Sequence, residues 1–249
     1  MFDVPEQLWT ISWIFLLGGV VKGVTGMGLP TLSLALLTMT LGLHQAMPLI
    51  VLPSVITNIA QGFWGGYLKA LLTRLWSLLL LGSMGVWLGV ILLVEINPFW
   101  LTALLGILMI LYGTVGLLTP QFPQPAQHEP WLTPTTGLIT GLLTGLTGSA
   151  VTPAVLYFQL LQLPRPALVQ AMGIWFGLSS LVLGAALGQV GLYTTHSALL
   201  SLWALIPAFT GMALGGWIRN RLSEKRFKQF FFLVLVAMGL QLTLRAVSP

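Results

Sequence analysis

Cysteine is absent from the sequence, so no disulfide framework, thiolate nucleophile or cysteine metal site is available, and the redox compartment is left open. Charge is nearly absent as well. Only 6% of the 249 residues are charged, against about 25% in a soluble domain, and a chain so poor in polar surface cannot face water on all sides. No Asp or Glu lies well inside an apolar segment, which argues against a carboxylate proton relay. The histidines, His44, His128 and His196, stand at segment ends or in a linker and form no metal-ligand pair at helical spacing, so no metal site is expected. A nucleotide-binding loop of the Walker type is also missing, which excludes ATP-driven transport by this chain alone, and no cofactor is expected. Asp3 and Glu6, with no basic residue before Lys22, are the wrong flank for a signal peptide, so the first apolar segment is expected in the mature protein.

What the chain has is apolar length. It is 56% hydrophobic with a mean hydropathy of +0.94, the composition of an all-α polytopic membrane protein whose surroundings are lipids. The net charge of +5 falls in a few interhelical loops, so it reads as membrane topology and not as a nucleic-acid-binding face. Ten apolar segments stand out, at 8–27, 29–43, 45–66, 75–94, 98–118, 131–148, 150–163, 166–188, 197–218 and 227–244. Most approach the ~20 residues that cross a hydrocarbon core. The second and seventh are shorter and are candidates for half-helices or one arm of a membrane-embedded hairpin. Residues 119–130, rich in proline and polar groups, form a linker between a first repeat (1–118) and a second (131–249).

Duplication is visible in one motif above all. Gly23 to Pro30 reads GVTGMGLP and Gly145 to Pro153 reads GLTGSAVTP, each interrupting an apolar run. Glycine tolerates the turn that ends one helix, and proline suits the first turn of the next. A break inside a membrane frees backbone groups that protein, water or ligand must satisfy, and paired breaks in matching halves point to a transporter's binding site. The alignment pairs Gly23, Thr25, Gly26 and Gly28 with Gly145, Thr147, Gly148 and Ala150; Gln45-Ala46-Met47 with Gln170-Ala171-Met172; and Gly85 and Gly89 with Gly211 and Gly215. The last pairs, four residues apart, fit close helix packing.

Charge predicts the relative orientation of the halves. Lys69 and Arg74 lie between the third and fourth segments, whereas Arg219, Arg221, Lys225, Arg226 and Lys228 lie between the ninth and tenth. If basic loops stay cytoplasmic, the repeats are inverted, both termini lie outside, and Arg165 lies inside. Arg245 is the exception. The expected architecture is therefore two inverted-topology halves with broken helices at the midplane.

Lys22 is the only Lys, Arg, Asp or Glu well inside an apolar segment. An intramembrane cation is a functional candidate by default, although it can also snorkel to a headgroup or bond freed carbonyls. Helices restarting at Pro30 and Pro153 offer N–H groups and positive dipole ends, with Thr152 as an expected N-cap. Thr25, Thr147 and Ser149 add hydroxyls beside Gly26, Gly28, Gly148 and Ala150. Together these favour an anion. Ser54, Asn58 and Gln61 share one helix face and fit either substrate contact or interhelical hydrogen bonding; Gln170 and Trp175 are candidates for the wall, with packing as the plain alternative for Trp175. Gly19 with Gly23 and Gly141 with Gly145 also match simple GxxxG packing. Ser149 follows a glycine, yet no histidine lies in an apolar segment to act as its base, so an intramembrane serine enzyme is not expected.

The duplicated motif, the run PSVITNIAQG from Pro53 to Gly62, the stretch PAFTGMALGG from Pro207 to Gly216 and the basic loop before the last segment resemble the TauE/SafE sulfite exporter family of bacterial membrane proteins, over nearly the whole chain. The resemblance implies a permease of the bacterial cytoplasmic (inner) membrane for sulfite, organosulfonates or related small anions, with Gly23 to Pro30 and Gly145 to Pro153 as its substrate region. Ser149 and Ala150 depart from the glycine run usual in the second half. The expected partner is thus a small anionic substrate; oligomeric state is not read from the sequence. The competing expectations are a permease for another small organic anion and a membrane scaffold that transports nothing.

Overall fold

The computed structural model describes residues 4–118, 129–219, 221 and 223–247, and every regular element among them is a helix. In order these are α1 (Val4–Thr25), α2 (Leu29–Leu41), α3 (Leu43–Phe63), α4 (Leu68–Leu93), α5 (Pro98–Leu118), α6 (Glu129–Thr147), α7 (Ala154–Leu160), α8 (Arg165–Gln189), α9 (Thr195–Trp203), α10 (Leu205–Arg219) and α11 (Glu224–Val247). Seven spans among the described residues are long and apolar enough to cross a membrane. The chain is a multi-pass membrane protein. His128, most of the expected linker and the extreme termini lie outside the described residues.

Three elements differ from their expected segments. Helix α6 falls short of spanning hydropathy because threonine, glycine and proline dilute it. The seventh segment keeps only seven residues of helix, α7, because Pro153 stands at its N-cap and the chain leaves the helix at Leu161. The ninth is divided into α9 and α10 around Ala204. Pro207 explains that division, since it has no N–H for the Trp203 carbonyl one turn back.

The chain forms two compact units, and each draws helices from both sequence halves: Met1–Pro53, Pro98–Thr119 and Leu192–Pro249 make unit 1, and Ser54–Asn97 with Pro120–Gly191 make unit 2. In unit 1, α1 crosses α10 through glycine. A Cβ on Gly19 would collide with the Ala208 carbonyl, and one on Gly23 with that of Met212. Gly211 and Gly215 answer from the other side against Leu16 and Val20, so residue numbers at the crossing rise together and the two helices run parallel. Helices α5 and α11 run antiparallel, with Gly106 against Gly239 and Thr243 but Gly113 against Phe232 and Val236. In unit 2, Gly137, Gly141 and Gly145 of α6 meet Leu78, Gly82 and Val86 of α4, while Gly85 and Gly89 meet Leu138 and Leu142. That crossing is again parallel. The glycine pairs aligned from sequence are therefore crossing points, where the absent side chains let backbones touch.

Candidate functional site

The first break lies in unit 1. Gly26 takes φ +82 and Gly28 φ +97, a left-handed backbone that side-chain-bearing residues rarely adopt. Helix α1 closes with the Gly26 N–H on the Lys22 carbonyl at 2.7 Å. The Thr25 hydroxyl reaches back to the Val21 carbonyl at 2.9 Å, lies 2.7 Å from the Met27 carbonyl, and accepts the Met27 N–H at 3.2 Å. The turn is held by neighbours: the Tyr112 hydroxyl donates to Met27 Sδ at 3.4 Å, and a Cβ on Gly28 would press on Val21 and Phe231. Beyond it α2 doubles back on α1, where a Cβ on Gly18 would strike the Ser33 hydroxyl.

Gly18, Lys22 and Thr25 are spaced four and three apart and share the α1 face toward this hairpin. Lys22 is only 3% exposed. Because Gly23 meets Met212 to Gly216, the break stands about one turn short of Arg219, where α10 ends.

The second break, in unit 2, repeats the device. Gly148 takes φ +78 and its N–H closes α6 on the Thr144 carbonyl at 2.7 Å. The Thr147 hydroxyl donates to the Leu143 carbonyl at 2.7 Å and accepts the Ser149 N–H at 3.2 Å. Gly145 meets Val86 to Val90, and α4 ends at Leu93, so this break too lies about one turn from the end of its partner helix. Register between helices is invisible to sequence. It sets each break close to the end of its partner helix.

Trp175, 1% exposed, donates its indole N–H to the Ala150 carbonyl at 2.7 Å. Ser149 is buried, and so is Thr152, whose hydroxyl has no partner among the described residues. Thr152 does not cap α7. Pro153 takes that position with no side-chain cap, so the expected N-cap is corrected.

The remaining expected residues are in unit 2. Asn58 is buried and donates its amide to the Ser54 carbonyl one turn back at 2.8 Å. Gln61 donates to the Val169 carbonyl at 2.8 Å. Gln170, fully buried, donates to the Gly62 carbonyl at 2.8 Å and accepts the Tyr67 N–H at 2.9 Å. It thereby braces the turn between α3 and α4. Trp175 and Ala150 thus meet directly, Gln61 and Gln170 brace the same corner, and Lys22, Thr25, Gly26 and Gly28 belong to the other unit. Two cavities of unit 2, of 670 and 350 Å3, are lined by other residues, Arg74, Ser77 and Thr133 among them in the larger.

Sequence reading missed one feature of α6. Thr133, Thr136, Thr140, Thr144 and Thr147 are all buried at spacings of three and four, which is one helix face. Thr140 and Thr144 each donate to the carbonyl one turn back at 2.7 Å. The aligned α1 positions are Ile11, Ile14, Gly18, Lys22 and Thr25, so Thr144 holds the place of Lys22. The spacing was there to be found.

No curated protein and no solved structure matches the chain. A family model does, described as sulfite exporter TauE/SafE and covering residues 11–242, a stretch that takes in both breaks and both parallel glycine crossings. A multi-pass helical chain that carries the duplicated break and matches this model almost from end to end belongs to the TauE/SafE sulfite exporter family of membrane transporters.

Proposed function

We propose that the protein is a permease of the bacterial cytoplasmic membrane for a small sulfur-containing oxyanion, sulfite or an organosulfonate, working by alternating access between two inverted repeats at 1–118 and 131–249. The observation that carries this reading is the threonine-capped break made twice with the same bonds, at Thr25 and at Thr147. Close packing needs the glycines; it does not need the cap. Helix direction supports inversion. If each break joined its two helices into one crossing, α5 and α11 would run parallel, whereas they are antiparallel.

In this mechanism Lys22 supplies positive charge, and a cation in the membrane interior, costing about 2.5–3.5 kcal/mol on insertion scales, is retained for that purpose. Backbone N–H groups near Gly28 in one unit, and near Ala150 in the other, are the donors for an anion's oxygens at each break. Thr25, Thr147 and Ser149 set the shape of the breaks around Gly26 and Gly148. Asn58 and Gln61 meet the neutral side of the substrate, while Gln170 and Trp175 keep the supporting backbone in place. Basic loops inside and both termini outside complete the topology.

A thermal-stability panel on purified protein, with sulfite, thiosulfate, alkyl and aryl sulfonates, sulfate and acetate, tests the reading. A substrate bound only by the native state raises stability. Stabilisation by sulfite or a sulfonate and not by acetate is expected; none by any anion favours the scaffold, and acetate alone favours another organic-anion permease.

A further inference from the structure

Helix α3 is 21 residues long with Pro48 and Pro53 inside it. Pro53 has no N–H, so the Leu49 carbonyl one turn back loses its helical partner. That carbonyl accepts from the Ser201 hydroxyl at 2.9 Å, and the Ser201 oxygen in turn accepts the Leu52 N–H at 3.1 Å. Ser201 is fully buried. It lies in α9, two residues before the helix ends at Trp203, so one hydroxyl joins two proline-interrupted helices within unit 1. A proline in a membrane helix persists where Ser or Thr side chains satisfy the freed backbone groups, and such a site is a natural kink.

The position of this proline matters. The chain leaves unit 1 for unit 2 between Pro53 and Ser54. Its other described passages, Asn97 to Pro98 and Gly191 to Leu192, fall at a helix start and in a turn. Of these described passages, only the one at Pro53 runs through the interior of a helix.

We propose that Pro53 is the hinge of α3 in the transport cycle and that Ser201 is its positioning residue. This rests on the permease reading. Without an N–H at position 53, the helix bends there without breaking an intrahelical bond. The Ser201 hydroxyl keeps the Leu49 carbonyl and Leu52 N–H paired while it does so, which fixes the unit 1 side of the hinge and leaves residues from Ser54 onward to swing.

The test combines a stability cycle with a distance measurement. Ser201→Ala lowers the unfolding temperature of the native background, Ser201→Thr does not, and in Pro53→Ala the loss largely disappears, because alanine at that position restores an N–H for the Leu49 carbonyl. Equal losses in both backgrounds contradict the role of Ser201. Since the chain has no cysteine, spin labels on Met84→Cys in α4 and Leu233→Cys in α11, both exposed positions, report inter-unit distances by pulsed dipolar spectroscopy. Pro53→Ala narrows their distribution and slows uptake about tenfold, with KM shifting alongside, as substitutions at hinges far from the chemistry do. An unchanged distribution, or an uptake rate equal to that of the native protein, overturns the hinge. If the native protein moves no sulfur oxyanion, the permease reading fails, and the label distances decide the hinge alone.

Discussion

Thr25 and Thr147 share a pair of contacts: each hydroxyl reaches the carbonyl four residues back and accepts the N–H two residues ahead, at 3.2 Å in both cases, while Thr25 also reaches the Met27 carbonyl at 2.7 Å. One side chain thus ends a helix and begins the turn that follows. Valine has nearly the same shape and leaves that N–H and carbonyl without the bond, so Thr25→Val and Thr147→Val should each lose about 1 kcal/mol of stability. Thr→Ser at either position should stay near the native value. Denaturation in detergent, followed by circular dichroism, measures both.

The glycine crossings make a sharper contrast. A Cβ on Gly141 would collide with the Gly82 carbonyl, whereas Gly216 has open space around that position. Gly141→Ala must push α6 from α4 and should cost about 1–3 kcal/mol, as overpacking does. Gly216→Ala should stay within about 0.5 kcal/mol of the native protein. Unfolding temperatures of the two variants, measured side by side, check the crossing directly.

Trp175 offers a test of how the second break is supported. Its indole N–H holds the Ala150 carbonyl, and its ring fills the space that a side chain on Gly82 would need. Trp175→Phe keeps most of the ring and removes the N–H. The unpaired buried carbonyl should lower stability by about 1–3 kcal/mol and weaken anion-induced stabilisation in the thermal panel. An unaltered response to anions would confine Trp175 to packing.

Much of this architecture was legible before any coordinates. Low charge and long apolar runs fixed the class, and the Gly-x-Thr-Gly repeat marked both helix ends to within a few residues, because left-handed glycine and a following proline act locally. The matched pairs Gly85–Gly89 and Gly211–Gly215 also signalled contact. Their partners did not: nothing local says that Gly23 meets Gly215, or that a break sits one turn from the end of its neighbour. Local signals also misled at Thr152, where the cap position passed to Pro153. The amide bonds of Gln170 to Gly62 and Tyr67 depend on α8 lying against the α3–α4 turn. A polar residue in an apolar helix announces a partner without naming it.

Uptake of labelled sulfite and of a labelled sulfonate into proteoliposomes, by the native protein and by Lys22→Met, bears most directly on the anion site. Removing a buried charge need not destabilise a protein when a side chain of similar volume replaces it, so the variant should remain folded by circular dichroism. Saturable uptake by the native protein and none by folded Lys22→Met is the expected result. Equal uptake by the two would take Lys22 out of the site and contradict a transport mechanism built on its charge.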